Sequence, residues 1–216
     1  MTVKISIETN VKELDKKLGL IQRKYLPLII SDSLNEVGIK SVNALRSQFA
    51  KKLDRPKPDT IKSPIIFRSK PNDLAALVLI KDKWKKGKAP AEYLQPLLDG
   101  STRLPDKKYL LTPNKNTKTN QYGNITNANR LKYFEDKTKY FVGVPKGFPS
   151  ATVGVWERYG RAAKGTSGGY RIRKVVNLAK SQKFDKRFNF FRTVRGVVNN
   201  NINRSLQKNM KRILAA

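Results

Sequence analysis

From Phe184 the chain reads Phe184-Asp-Lys-Arg-Phe188-Asn-Phe-Phe191-Arg-Thr-Val194-Arg-Gly-Val-Val198, and the apolar series continues through Ile202, Leu206, Met210 and Ile213. Steps of only three and four residues are those of one helical face, so they predict an amphipathic helix from Asp185 onward with this stripe in the core. The other side carries Lys186, Arg187, Arg192, Arg195, Arg204, Lys208, Lys211 and Arg212, and no carboxylate follows Asp185. A run of charge is most often a solvated face, but one of a single sign also suits a polyanion or an acidic protein surface.

At the other end, Thr2 to Glu8 alternates Val3, Ile5 and Ile7 with Lys4 and Ser6, the period of a half-buried strand. Asn10 can cap a helix carrying Val11, Leu14, Leu18, Ile21, Tyr25 and Leu28 on one face. Pro27 predicts a kink or short break near Leu26, because proline lacks the amide donor and disfavours helix before it. A second stretch, Ile30, Leu34, Val37, Val42, Leu45, Phe49 and Leu53, stops at Arg55-Pro-Lys-Pro58.

Between these ends, Ile65–Arg68 and Leu74–Ile80 predict two strands around the turn Lys70-Pro-Asn-Asp73. A basic tether, Lys83–Lys88, leads to Pro90–Asp99, which predicts one or two helical turns closed by Gly100. Pro113–Arg130 is rich in Asn, Thr, Lys and Gly and predicts a long loop. Strands are expected at Tyr140–Val144, Thr152–Glu157 and Arg171–Ala179, with a basic, glycine-rich connection over Gly160–Gly169.

The expected class is α+β: a mixed, largely antiparallel sheet flanked by long N-terminal helices and the C-terminal amphipathic helix. At 216 residues the expectation is one domain, in three parts. These are a strand and helices over 1–54, the sheet with its loops at 113–130 and 160–169 over 55–182, and the last helix over 184–214.

Composition narrows the chemistry. The chain has 46 Lys plus Arg, 16 Asp plus Glu, no His and no Cys, for a net charge of +30. Imidazole- and thiol-based catalysis, thiolate zinc sites and disulfides are therefore excluded. Glu135-Asp136 has Lys132, Lys137 and Lys139 beside it, and no run of carboxylates suggests a catalytic metal site. No phosphate-binding glycine loop is present, since Gly165-Thr-Ser-Gly-Gly169 lacks the strand-then-helix context. The expectation is a protein without catalysis, cofactor or metal. The first nine residues lack the apolar stretch of a signal peptide, and no apolar run approaches the roughly 18 residues of a membrane span. Synthesis in the cytoplasm and no membrane partner are expected.

A folded monomer of this mass exposes about 10,000 Å², so evenly spread excess charges lie about 18 Å apart, beyond the Debye length of about 8 Å at physiological salt. Self-repulsion alone does not prevent folding. Clustered charge on one face would seek phosphates or carboxylates. Basic residues and aromatics alternate in Arg130-Leu-Lys-Tyr-Phe134 and in Lys186-Arg-Phe-Asn-Phe-Phe-Arg192, which suits base stacking and keeps open a basic nucleic-acid-binding protein of the ribosomal kind.

Several segments, taken in order, resemble the minor tail protein Z family of tailed phages, also described as tail completion or neck proteins. They begin with Arg55-Pro56, Ile65-Ile-Phe-Arg68 and Leu77-Val-Leu-Ile-Lys-Asp82. The most specific is Ala89-Pro-Ala-Glu-Tyr93-Leu94-Gln-Pro96-Leu-Leu-Asp-Gly100-Ser-Thr-Arg103. Leu111-Thr-Pro113, Gln121-Tyr122-Gly123-Asn124-Ile-Thr126, Gly154-Val-Trp156-Glu-Arg158 and Phe188-Asn-Phe-Phe191 follow. The resemblance covers roughly residues 50–214. Ser101 departs from it where a second glycine is common, as does Asn120-Gln121 where the approach to Tyr122 is usually more acidic.

The resemblance implies a virion structural protein joining head to tail as a homo-oligomeric ring around the DNA channel. Its partners would be portal, connector or neck proteins and tail-tube proteins, with transient contact to double-stranded DNA. A ring about 40 Å tall, set by a radius of gyration of about 17 Å, encloses only about 24 phosphates. Six copies at +30 each would carry about 180 positive charges. Acidic partner proteins are therefore expected to face much of the basic surface, with Arg161, Lys164, Arg187, Arg192, Arg195, Arg204, Lys208, Lys211 and Arg212 as candidate contacts to a polyanion or an acidic partner. In the resembling segments, Tyr93 and Leu94 are expected to anchor a short helix to the sheet, Pro96 to limit its conformations, and Gly100 to permit the reversal before Arg103.

Overall fold

The computed structural model describes residues 1–6, 20–83, 87–106, 108–145, 153–161 and 169–214. The expected helix start at Asn10, the stripe residues Val11, Leu14 and Leu18, and Lys164 lie outside them. The chain forms two compact units, one of Met1–Gly100 with Asp185–Ala216 and one of Ser101–Phe184. The fold is α+β, with antiparallel sheets and a long C-terminal helix.

In the first unit, strands β1 (Thr2–Ser6), β2 (Pro64–Phe67) and β3 (Ala75–Ile80) form an antiparallel sheet with β3 central. Its helices are α1 (Leu20–Lys52), α2 (Pro58–Ile61) and α3 (Pro90–Asp99), and the C-terminal helix, α5, spans Phe190–Leu214. Ala76, Val78 and Ile80 alternate along β3 and are fully buried. They meet Leu34, Val42, Leu45 and Phe49 of α1, Leu94 and Leu98 of α3, and Phe190 and Val194 of α5 in one core. The β2–β3 turn closes on the predicted residues, with the amides of Lys70 and Asp73 each donating to the other's carbonyl at 2.9 Å.

Two expectations are corrected here. The short break offered as one alternative at Pro27 is absent: helix α1 runs continuously through it, because the packing of a 33-residue helix outweighs one missing donor. Helix α5 begins at Phe190 instead of Asp185, since Asn189 caps it: its Oδ1 accepts the Arg192 amide at 2.9 Å. The expected stripe holds at Phe188 and Val194, which are buried, and at Val198 and Leu206, which pack against the core, and fails at Phe191 and Met210. Phe191 and Met210 are 46 % exposed, and Phe190, Ser205 and Asn209, outside the expected stripe, are buried.

In the second unit, β5 (Leu110–Pro113), β6 (Tyr140–Gly143), β7 (Gly154–Arg161) and β8 (Tyr170–Ala179) form an antiparallel sheet in the order β5-β8-β7-β6. A separate pair joins β4 (Thr102–Arg103) to β9 (Gln182–Lys183). The expected loop Pro113–Arg130 is shorter than predicted, because helix α4 spans Asn127–Glu135. Thr126 caps it by accepting the Asn129 amide, and Tyr133 packs edge-on against Tyr140, ring centroids 5.2 Å apart, in a core with Val155, Val175 and Val176.

Candidate functional site

The α3 segment is built as its residue types require. Pro90 occupies the first turn, where a missing amide costs no helical bond, and Leu94, Pro96 and Leu98 are buried. The Tyr93 hydroxyl lies 2.8 Å from Thr60 Oγ1, and burial raises its pKa. Gly100 closes the helix at φ +74°, its amide donating to the Pro96 carbonyl at 3.0 Å. Arg103, half-buried, lies in β4 opposite Gln182. Leu94, Pro96 and Leu98 thus serve the core, and Gly100 the end of the helix.

Tyr122, Gly123 and Asn124 form a tight loop organised by Asn120. The Asn120 side chain accepts the amides of Tyr122 and Asn124, both at 3.0 Å, and its backbone amide donates to the Asn124 carbonyl. Gly123 takes φ +74°. Asn120 escaped the sequence reading as an organiser, although an asparagine ahead of a Tyr-Gly-Asn turn is the signal for one.

Strand β7 holds the most concentrated chemistry. Gly154 is buried, and a Cβ there would lie 2.6 Å from the Val176 carbonyl. Trp156 donates its indole N–H to the Gly143 carbonyl at 3.0 Å, and the Lys174 ammonium sits 5.6 Å from its ring centroid. Arg158 lies over the Phe141 ring at 4.8 Å while its Nη1 donates to the carbonyls of Lys137 and Thr138 at 2.9 and 3.0 Å. Glu157, between them in sequence, is buried and accepts Arg173 Nε at 2.7 Å and Lys139 Nζ at 3.3 Å. Burial raises its pKa, but the hydrogen bonds and charges of those two cations outweigh burial and hold it below the ordinary value. Sequence reasoning missed this triad because its members come from three separate segments.

Among the described residues only β7 and β8 continue as strands beyond Glu157, where Arg158–Arg161 pairs with Tyr170–Ile172. Arg161 and Arg171 are exposed there, as are Tyr159 and Tyr170 at 41 % and 58 %.

The basic residues expected on one side of α5 divide into two kinds. Lys208 reaches Glu36 of α1 at 3.4 Å and Arg212 pairs with Asp32, so these two tie α5 to α1. Arg187 donates from Nη1 to the Lys52 carbonyl at 3.4 Å. Arg192, Arg195, Arg204 and Lys211 are exposed, and none forms an ion pair with a described carboxylate. Among the described residues no helix is long and apolar enough to cross a membrane, and no three acidic side chains gather as a metal site.

No protein-family model matches the chain, and no curated protein or solved structure matches it at a significant level.

Proposed function

We infer that this chain is a non-catalytic structural protein of a tailed virus, a tail completion or neck component that joins the head to the tail as part of a ring. The observation that carries the reading is the use made of the segment most similar to that family. Tyr93, Leu94, Pro96 and Gly100 all serve to hold α3 in one conformation, as an assembly protein's rigid framework requires. The charge supports it as well. Exposed cations such as Arg192, Arg195 and Arg204 have no described carboxylate partner, and the net charge of +30 exceeds what enclosed DNA could neutralise. The partners this reading requires are acidic faces of portal, neck or tail-tube proteins.

Mass spectrometry and immunogold labelling of purified virions test it. A few copies per particle, located where head meets tail, are expected, and virions lacking the polypeptide overturn the reading. Association with the neighbouring proteins should also weaken as salt rises, because exposed charge pairs are screened. Assembly indifferent to salt would count against acidic partners.

A further inference from the structure

We propose that the open edge of β2 is a docking site for an extended, acid-flanked segment of another protein, which adds to the first unit's sheet as a further strand. The hydrogen-bond phase of the ladder is the starting point. Strand β2 lies at the edge of the sheet, and beside it the Lys81 amide donates to the Ser63 carbonyl at 3.0 Å. Bonded pairs alternate along an antiparallel ladder, so Ile65 and Phe67 also bond β3, while Pro64, Ile66 and Arg68 turn their backbone groups outward. Among the described residues nothing pairs with the outward groups of Ile66 and Arg68. The edge of β6 in the second unit differs. There the Arg158 amide donates to the Lys139 carbonyl, which turns Tyr140 outward, but the Tyr140 amide already donates to the Asp136 carbonyl at 2.9 Å and its carbonyl lies 3.4 Å from Arg158 Nη1.

Helix α1 frames the β2 edge. Asn35 exchanges two hydrogen bonds with the Ser69 backbone beyond one end of β2, and Arg46 Nη2 donates to the outward carbonyl of Pro64 at the other end, at 3.1 Å. Asn35, Ile39 and Arg46 follow one another at helical spacing and share one flank of α1. Ile39, between the two anchors, is 39 % exposed. Ile66 packs under α1 at Gly38, so Phe67 points to the opposite face of the sheet, where it is 57 % exposed. An added strand would place one side chain beside Ile39 and the next beside Phe67, and so cover both.

Charge selects the partner. Lys62, Arg68 and Lys70 are exposed around β2, and Asp73 is the only carboxylate from 62 to 73. Arg46 adds a cation whose Nε has no hydrogen-bond partner among the described residues. A second copy's β2 would bring the same cations together, and a phosphate chain would meet the outward carbonyls of Ile66 and Arg68 as well as their amides. A polypeptide with carboxylates on either side of a short apolar run satisfies the backbone and the charge at once. The inference deepens the reading of acidic partners and rests on it for the source of the segment, but a peptide tests the edge without a virion, so the two can fail separately.

The probe is the capped, fluorescein-labelled peptide Asp-Glu-Val-Ile-Val-Glu-Asp, titrated against the full chain by anisotropy. Binding with a Kd below about 1 mM is expected. At saturation the amides of Ile66 and Arg68 should exchange with deuterium about tenfold more slowly, while that of Val142 on β6 is unchanged. Arg68→Ala should weaken binding about threefold, and Arg68→Pro, which also removes an outward N–H, about tenfold further. Phe67→Ser and Ile39→Ser should each weaken it about fivefold. The same peptide methylated on its three apolar nitrogens, or carrying lysine at every acidic position, should not bind. No binding by the acidic peptide, unchanged exchange at Ile66 and Arg68, equal affinity of the methylated or lysine peptide, or equal affinities in Arg68→Ala and Arg68→Pro overturns the proposal. Circular dichroism checks the fold of each variant, and the methylated peptide, which leaves the protein untouched, decides the matter if Arg68→Pro unfolds.

Discussion

Glu157 on β7 and Arg173 on β8 form a 2.7 Å charge-assisted hydrogen bond across the second unit's sheet, although the carboxylate is only 6 % exposed. Lys139 supplies a second cation, and both cations remain about half in water. The desolvation burden therefore falls on Glu157 alone, and its two donors offset it.

Replacing it should show this. Glu157→Gln is expected to destabilise the protein by about 1–3 kcal/mol, the scale of a hydrogen bond to a charged group. The loss stays below that of breaking a fully buried pair because Arg173 and Lys139 keep their hydration. Since the folded-state pKa of Glu157 lies below its ordinary 4.5, its contribution is complete above about pH 4.5 to 5 and fades as pH falls through the lowered value. Urea midpoints measured from pH 7 to pH 3 should converge for wild type and variant at the acid end. Parallel curves at every pH would refute the assignment.

Asn189 fixes where α5 starts, because its side chain accepts an amide of the first turn. Asn189→Ala removes the acceptor of the Arg192 amide and should cost about 1 kcal/mol. Asn189→Asp should keep most of that stability, because it retains the acceptor and places a negative charge at the positive end of the helix. Thermal melts of the two variants give the comparison.

The α1–α5 contact carries buried polar side chains, one hydrogen-bonded across it and one not. Asn209 donates to Ser33 Oγ at 3.1 Å, and Ser33 in turn donates to the Ile29 carbonyl. Ser205 is buried, and its Oγ has no hydrogen-bond partner among the described residues. Asn209→Ala should destabilise by about 1–2 kcal/mol, through a lost bond and an emptied site, whereas Ser205→Ala should be neutral or stabilising by up to about 1 kcal/mol. Chemical denaturation with equal slopes for all three proteins would establish the order, and a large loss in Ser205→Ala would contradict it.

These residues also mark what the sequence makes legible. Elements defined by local chemistry are readable: alternation gives β3, and Gly100 after an apolar run gives the end of α3. The regular apolar spacing of α1 likewise identifies Leu34, Val37, Leu45 and Phe49 as core, and all are fully buried. Helix α4 is hidden because it buries a single side chain, Tyr133, and its remaining residues resemble the polar loop before it. The start of α5 is hidden because Phe184 and Phe188 continue the helical spacing backward into a stretch that is not helical. In the candidate surface, Lys208 and Arg212 look like free cations in sequence, but their carboxylate partners, Glu36 and Asp32, come from distant positions. The Arg158–Arg161 end of β7 is missed for another reason: it lacks the apolar alternation of a half-buried strand, since little covers it.

The α3 segment separates a framework from a binding site. Gly100→Ala forces a Cβ into a left-handed residue and brings it 3.3 Å from the Lys186 amide nitrogen, so a loss of about 1–2 kcal/mol is expected. Tyr93→Phe removes only the hydroxyl contact to Thr60 and should cost about 1 kcal/mol. The two positions bear on different neighbours, one on the end of α3 and the other on α2, so their effects should add within about 0.5 kcal/mol. If α3 serves as framework, both variants lower the urea midpoint while the affinity of the folded protein for its partners stays unchanged. A Tyr93→Phe protein of wild-type stability that fails to assemble would instead make this hydroxyl a contact residue.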